Sequence, residues 1–201
     1  RRDIHFNEGR AEKFHRRRAQ RTGRRGASPL RRRRAARTCG RQAQHKGASQ
    51  QNPLLGKPAP TFVTVDPEGN AVDLSKHLGK DVILLDFWAT WCGPCIMAMP
   101  EVAGVAEEFK DRGLVFYAVN VGEDPDTVKE FLKQNKFDIP VAMDFDGKIQ
   151  KAFNAHGLPH SIVIGKDGRV QADHLGYWRG FRQELAGQVE SLLGGKNLVN
   201  D

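Results

Sequence analysis

The sequence predicts an α/β fold with a mixed central sheet flanked by helices. Two dense apolar runs of strand length, 81–88 (DVILLDFW) and 114–121 (LVFYAVNV), are each followed by a helical stretch. That alternation builds parallel strands, because a parallel pair needs a crossover helix. A closing β-β-α pattern over 160–193 then contributes an antiparallel edge.

The elements follow in order. After the extended, Pro-punctuated stretch 54–60 (LLGKPAP), segments 61–65 (TFVTV) and 71–74 (AVDL) flank the turn 66–70 (DPEGN), which predicts a β-hairpin extension at the start of the folded region. Residues 75–80 suit a short helical turn. The run 81–88 has the composition of a central strand covered on both faces. A helix is expected over 93–112, with Ile96, Met99, Ala103, Ala106 and Phe109 inward and Gly113 as its stop. Pro100 inside it predicts a kink. After the strand 114–121, Pro125 opens a helix that ends near Lys136, with Val128, Phe131 and Leu132 on its inner face. A short strand at 141–143 and a short helix at 147–154 come next. Segments 160–165 and 169–174 flank Lys166-Asp167-Gly168 as a second hairpin, and 180–193 closes as an amphipathic helix carrying Phe181, Leu185, Val189, Leu192 and Leu193.

Charge divides the 201-residue chain in two. Residues 1–52 carry fifteen Arg and two Lys against Asp3, Glu8 and Glu12, a balance of +14, whereas 53–201 carry fifteen basic and twenty-one acidic residues, a balance of −6. The basic character therefore belongs to a tail, and the domain expected over 53–201 is mildly acidic. The tail holds few large apolar side chains (Ile4, Phe6, Phe14, Leu30) and is expected to be disordered, since it cannot offset the entropy of ordering. Its Arg clusters could neutralise phosphates, which makes non-specific nucleic-acid binding one reading of the chain. An Arg-rich leader of the organellar type is a second, weakened by the scarcity of Ser, and no apolar stretch of secretory-signal kind follows the basic residues. The simplest reading is that this stretch is not a working part of the mature protein. The chain opens at Arg1 and its first Met is Met97, so a fragment or added upstream sequence is expected. Cys39, with no Cys or His close by in sequence, reads as an exposed thiol. No apolar run approaches the ~20 residues of a membrane span.

Trp91-Cys92-Gly93-Pro94-Cys95 lies where the strand 81–88 meets the helix from 93. Cysteines at i and i+3 at a helix start face one side, near the Cα separation a disulfide prefers. Cys92 caps the helix, and its positive end stabilises a thiolate there. Pro94 fits the first turn, where its missing N–H leaves nothing unpaired. Zinc would need a second ligand pair, and no other Cys-x-x-Cys is present. A c-type haem needs His directly after Cys95, and that residue is Ile96. The residues thus point to a dithiol/disulfide centre with no metal.

The stretch DFWATWCGPC, with Pro100 five residues beyond, resembles the active-site segment of thioredoxins, and 53–201 resembles the TlpA/ResA branch of that superfamily. The lead-in 57–62 (KPAPTF) and a strand–helix insertion over 140–153 carry the branch resemblance. The resemblance implies a thioredoxin fold with a β-α insertion before a cis-proline, and an enzyme without cofactor that exchanges thiols with protein disulfides. It implies Cys92 as the attacking thiolate, Cys95 as the resolving thiol and Asp86 as the base that takes the proton of Cys95. Trp91, Gly93, Pro94, Leu158 and the cis residue Pro159 are implied to contact substrate, Leu158 through backbone pairing in the manner of an added strand. Cys-Gly-Pro-Cys suits the reducing end of the scale, near about −270 mV as in thioredoxin. An upstream electron donor is implied (thioredoxin reductase or a membrane thiol carrier), in a monomer that is periplasmic or membrane-tethered. Cytochrome c maturation, general disulfide reduction and metallochaperone upkeep all fit the family.

Three positions depart from the family pattern. Ala118 stands where thioredoxins place the Lys partner of the acid, Ala98 stands where ResA-like chains place a Glu, and His160 replaces the Thr common after the cis-proline. His160 could tune the thiols or face solvent. Peroxiredoxins share the fold, but their chemistry expects Thr three residues before the reactive Cys, where this chain has Ala89, and lacks the Gly-Pro-Cys that follows.

Overall fold

The computed structural model describes residues 52–199. The expected disorder of the basic tail, Cys39 and the tail's nucleic-acid reading lie outside the described residues.

A five-stranded sheet runs in the order β5-β4-β3-β6-β7, with β3 (Val82–Trp88) at its centre. β4 (Leu114–Val121) pairs with β3 in parallel, as does β5 (Val141–Asp144) with β4. On the other side β6 (His160–Ile164) and β7 (Val170–Leu175) are antiparallel. All seven residues of β3 are buried, which explains the absence of polar alternation in its sequence.

β1 (Val63–Val65) and β2 (Ala71–Asp73) form the separate two-stranded hairpin. The Asp66 carboxylate closes its turn by accepting from the backbone N–H groups of Glu68 and Asn70, a pattern that suits Asp at a turn start. Thr64 Oγ1 donates to the Met143 carbonyl at 2.6 Å and ties the hairpin to β5.

Two apolar layers cover the sheet. Val82, Leu84 and Trp88 of β3 pack with α1 (Gly93–Phe109), α2 (Pro125–Asn135) and α4 (Phe181–Leu193), whereas Ile83, Leu85 and Phe87 pack with the lead-in, the hairpin and α3 (Lys148–Ala152). α2 starts where Asp124 caps it by accepting the Thr127 N–H at 3.0 Å. Beyond Phe109 the chain tightens into a 3-10 turn, Lys110–Arg112, so the α-helix is shorter than the pattern predicts. Gly113 ends it at φ 99°, which an L side chain rarely adopts.

The buried face of α1 also differs from expectation. Cys95, Ala98, Met99, Val102, Val105, Ala106 and Phe109 are buried, while Ile96 and Ala103 are only half-buried. The inward stripe therefore runs through Ala98, Val102 and Val105, and not through Ile96 and Ala103.

Candidate active site

α1 begins where β3 and its following turn deliver Cys92 to the helix N-cap. Cys92 has extended backbone angles, and its Sγ accepts the backbone N–H of Cys95 at 3.3 Å. Cys92 and Cys95 are joined by a disulfide with their Cα atoms 5.2 Å apart. Cys95 is fully buried and Cys92 keeps 5% of its surface, so only the first sulfur is placed to meet another molecule.

Beside the disulfide lies a groove of about 460 Å³. Trp91, Cys92, Gly93, Pro94 and Leu158, all expected at the site, line it together. Val121, Gln150 and Gly157 complete it. Trp91 is 73% exposed, so its indole stands open to solvent along the groove. The Leu158–Pro159 peptide bond is cis, and the Pro159 carbonyl accepts from Gly176 N–H at 2.8 Å. Pro159 itself does not line the groove.

Asp86 lies within β3, 1% exposed. Strand alternation puts it on the same face as Leu84 and Trp88, the face that packs with Cys95 and Met99 of α1. Burial pushes its carboxyl up to about 7, against the opposing pull of a hydrogen bond from Ser161 and the charge of His160. In register on β4 stands Ala118, and on β6 Ser161, whose hydroxyl donates to Asp86 Oδ1 at 2.6 Å. Ala98 is buried, so the acid position of ResA-like chains is filled by a methyl group here.

His160 neither faces solvent nor shares the sheet face of the cysteines. It is 3% exposed on the opposite face, against Phe87, with Nε2 2.8 Å from Asp173 Oδ1. A strand buried on both faces gives an imidazole no route to water, so it needs a partner inside.

Two contributors have no sequence motif. Glu123 accepts from Thr90 N–H at 2.7 Å, Thr90 Oγ1 at 2.5 Å and Asn120 Nδ2 at 2.8 Å, and so anchors the turn that leads into Trp91-Cys92. Asn52 donates to the Phe153 carbonyl at 3.0 Å and to Asp173 Oδ1 at 2.5 Å. The only advance sign of Glu123 is an acid just past a strand end on the reactive side of the sheet. Among the described residues, no three His, Cys, Asp or Glu side chains converge as metal ligands, and no helix is long and apolar enough to cross a membrane.

Comparison with known proteins adds the family context. Residues 54–186 match the Redoxin family. The thiol-disulfide oxidoreductase ResA of Bacillus thuringiensis subsp. konkukian is 40% identical over 116 residues, 58% of this chain and 66% of that protein, so the match spans just under two thirds of the relative's length. ResA of Bacillus anthracis is 34% identical over 145 residues, 72% of this chain and 82% of the relative. A thiol:disulfide interchange protein of the thioredoxin family from Chlorobium tepidum TLS superposes with TM-score 0.59 at 29% identity, covering 68% of this chain and 96% of that one. The α/β architecture described above is the thioredoxin fold of these neighbours.

Proposed function

The chain belongs to the Redoxin family, and from that premise we propose that it is a thiol-disulfide oxidoreductase that reduces disulfides in protein substrates. The observation that carries the reading is the Cys92–Cys95 disulfide at the N-terminus of α1, with the first sulfur held by a helix N–H.

The reaction starts from the reduced pair. The Cys92 thiolate, stabilised by the helix end, attacks one sulfur of the substrate disulfide. The substrate S–S bond breaks, its second sulfur leaves as a thiolate, and a mixed disulfide joins Cys92 to the substrate. Asp86, half ionised near pH 7, takes the proton of the Cys95 thiol. The Cys95 thiolate then attacks Cys92 Sγ, and the substrate departs with both sulfurs reduced. Two electrons have passed, and the centre is left as the disulfide described above. A dithiol donor must restore it. Trp91, Gly93, Pro94 and the backbone of Leu158 hold the substrate segment along the groove, where an extended chain finds apolar surface and free main-chain groups.

A Cys95→Ser variant tests the scheme. Treated in reduced form with disulfide-bonded insulin, it is expected to accumulate a mixed disulfide at Cys92, read by mass spectrometry under non-reducing conditions. An adduct at Cys39 instead, or none at all, overturns it.

A further inference from the structure

Asp86 is a carboxyl in the middle of a central strand, and its surroundings are unequal on the two sides. On β4 the residue in register is Ala118, which offers no polar atom. On β6 the residue in register is Ser161, and its hydroxyl makes the one side-chain hydrogen bond that Asp86 has among the described residues. Leu84 and Trp88 flank Asp86 along its own strand on the same face. The layer over that face brings Cys95 and Met99 from α1 and Phe181 and Leu185 from α4, with Gln188 of α4 bonded to His174 of β7 at its edge.

We propose that Ser161 is a positioning residue for thiol exchange, which holds Asp86 from β6 and keeps its carboxylate available to take the Cys95 proton. The proposal rests on the reading of Asp86 as that proton's acceptor. Three observations on the geometry support it. The donor–acceptor distance is 2.6 Å, in the range of a charge-assisted O–H···O bond. The bond engages Oδ1, which leaves Oδ2 as the acceptor. The Ser161 side chain is itself buried, 2% exposed, so water does not compete for its hydroxyl. A buried carboxylate with no donor is far costlier than one with a single strong bond, so losing the hydroxyl drives Asp86 toward its neutral form.

The placement has a mechanical consequence. Ser161 is two residues beyond Pro159 and three beyond Leu158. One short segment thus carries the backbone that pairs with substrate and the hydroxyl that supports the base. Other titratable groups lie around it. Cys95 is on α1. His160 is on the opposite face of β6, bonded to Asp173. His174 on β7 is in register with Ser161 and held by Gln188 of α4 at 2.7 Å. None of these donates to Asp86, so the hydroxyl is the group whose removal reaches the acid directly.

Ser161→Thr and Ser161→Val differ by one hydroxyl at nearly constant volume, and single-turnover reduction of insulin across pH 5.5–9 compares them. We expect the Thr variant to keep the wild-type profile. The Val variant should raise the apparent pKa of the resolving step by about one unit, which slows it about fivefold at pH 7 and restores it at high pH. In an Asp86→Asn background the Thr/Val difference should vanish. A profile that Asp86→Asn changes but Ser161→Val leaves in place overturns the role of Ser161 and keeps Asp86 as the base. A profile indifferent to Asp86→Asn overturns both.

Discussion

Asp86 and Asp173 occupy the two faces of one sheet and are driven in opposite directions. On the face that carries the cysteines, Asp86 has one hydroxyl donor, and burial wins: its carboxyl is pushed up to about 7. On the other face burial also pushes the Asp173 carboxyl upward, but hydrogen bonds from His160 and Asn52 outweigh it and hold the group below its ordinary value. Asp86 is the deeper of the two and has fewer donors, and both differences act in the same direction: full burial with one donor favours the neutral acid, and partial burial with two donors favours the anion. The consequence is a division of labour. Asp173 is an anion that ties the strand after Pro159 to the lead-in through Asn52, and Asp86 is the acid that the proposed mechanism uses to accept the Cys95 proton.

Stability against pH should separate the two acids by sign, and Asp86 has the larger effect. Its unfolded carboxyl titrates near 3.8 and its folded one near 7. Between those values the folded state holds the extra proton, so stability falls as pH rises from about 4 to about 7 and is flat above. The span is about 4 kcal/mol. Asp86→Asn should remove this slope, and urea unfolding at pH 5 and pH 8 reads it directly. An unchanged slope in the variant would erase the contrast between the faces. Asp173 has the opposite sign, because its folded value is depressed. Its contribution is present above 3.8 and is lost as pH falls through the lower folded value. Asp173→Asn should cost about 2 kcal/mol at neutral pH, since it removes the carboxylate that partners the buried His160 ring and the Asn52 amide. That cost should shrink in acid.

This contrast is not legible in the sequence, and the reason is register. The apolar runs of β3 and β4, the turn chemistry at Asp66 and the capped start of α1 are local, so they are legible in a few adjacent residues. Cys92-Gly93-Pro94-Cys95 is local too. Ser161 reaches Asp86 across 75 residues of chain, and Asn52 reaches Asp173 across 121. Such pairs exist only once the strands are aligned. His160 escapes a sequence reading for the same cause, because its burial follows from β6 being covered on both faces. The stripe of α1 departs from its pattern for another. Apolar residues stand almost all round α1, so Ala98, Val102 and Val105 define one stripe and Ile96 and Ala103 a competing one, and only packing on the sheet selects the first.

Glu123 sharpens the comparison as a third acid with still more donors. It accepts three hydrogen bonds, two from Thr90 and one from Asn120, and so resembles Asp173 in kind although it belongs to the reactive end of the sheet. Its contacts give it a structural role: it anchors the turn before Trp91-Cys92 through Thr90. Glu123→Gln keeps an oxygen for the Thr90 N–H and the Asn120 amide, turns the amide nitrogen to the Thr90 hydroxyl, which must reverse its bond, and removes the charge from all three contacts, with a cost of about 1 kcal/mol. Thermal unfolding should register that loss, and kcat/KM for insulin should drop about threefold through a looser Cys92, with the shape of the pH profile unchanged. A shift of the profile like that expected of Ser161→Val would instead join Glu123 to Asp86 in the proposed proton transfer, and the turn anchored by Thr90 would no longer account for its role.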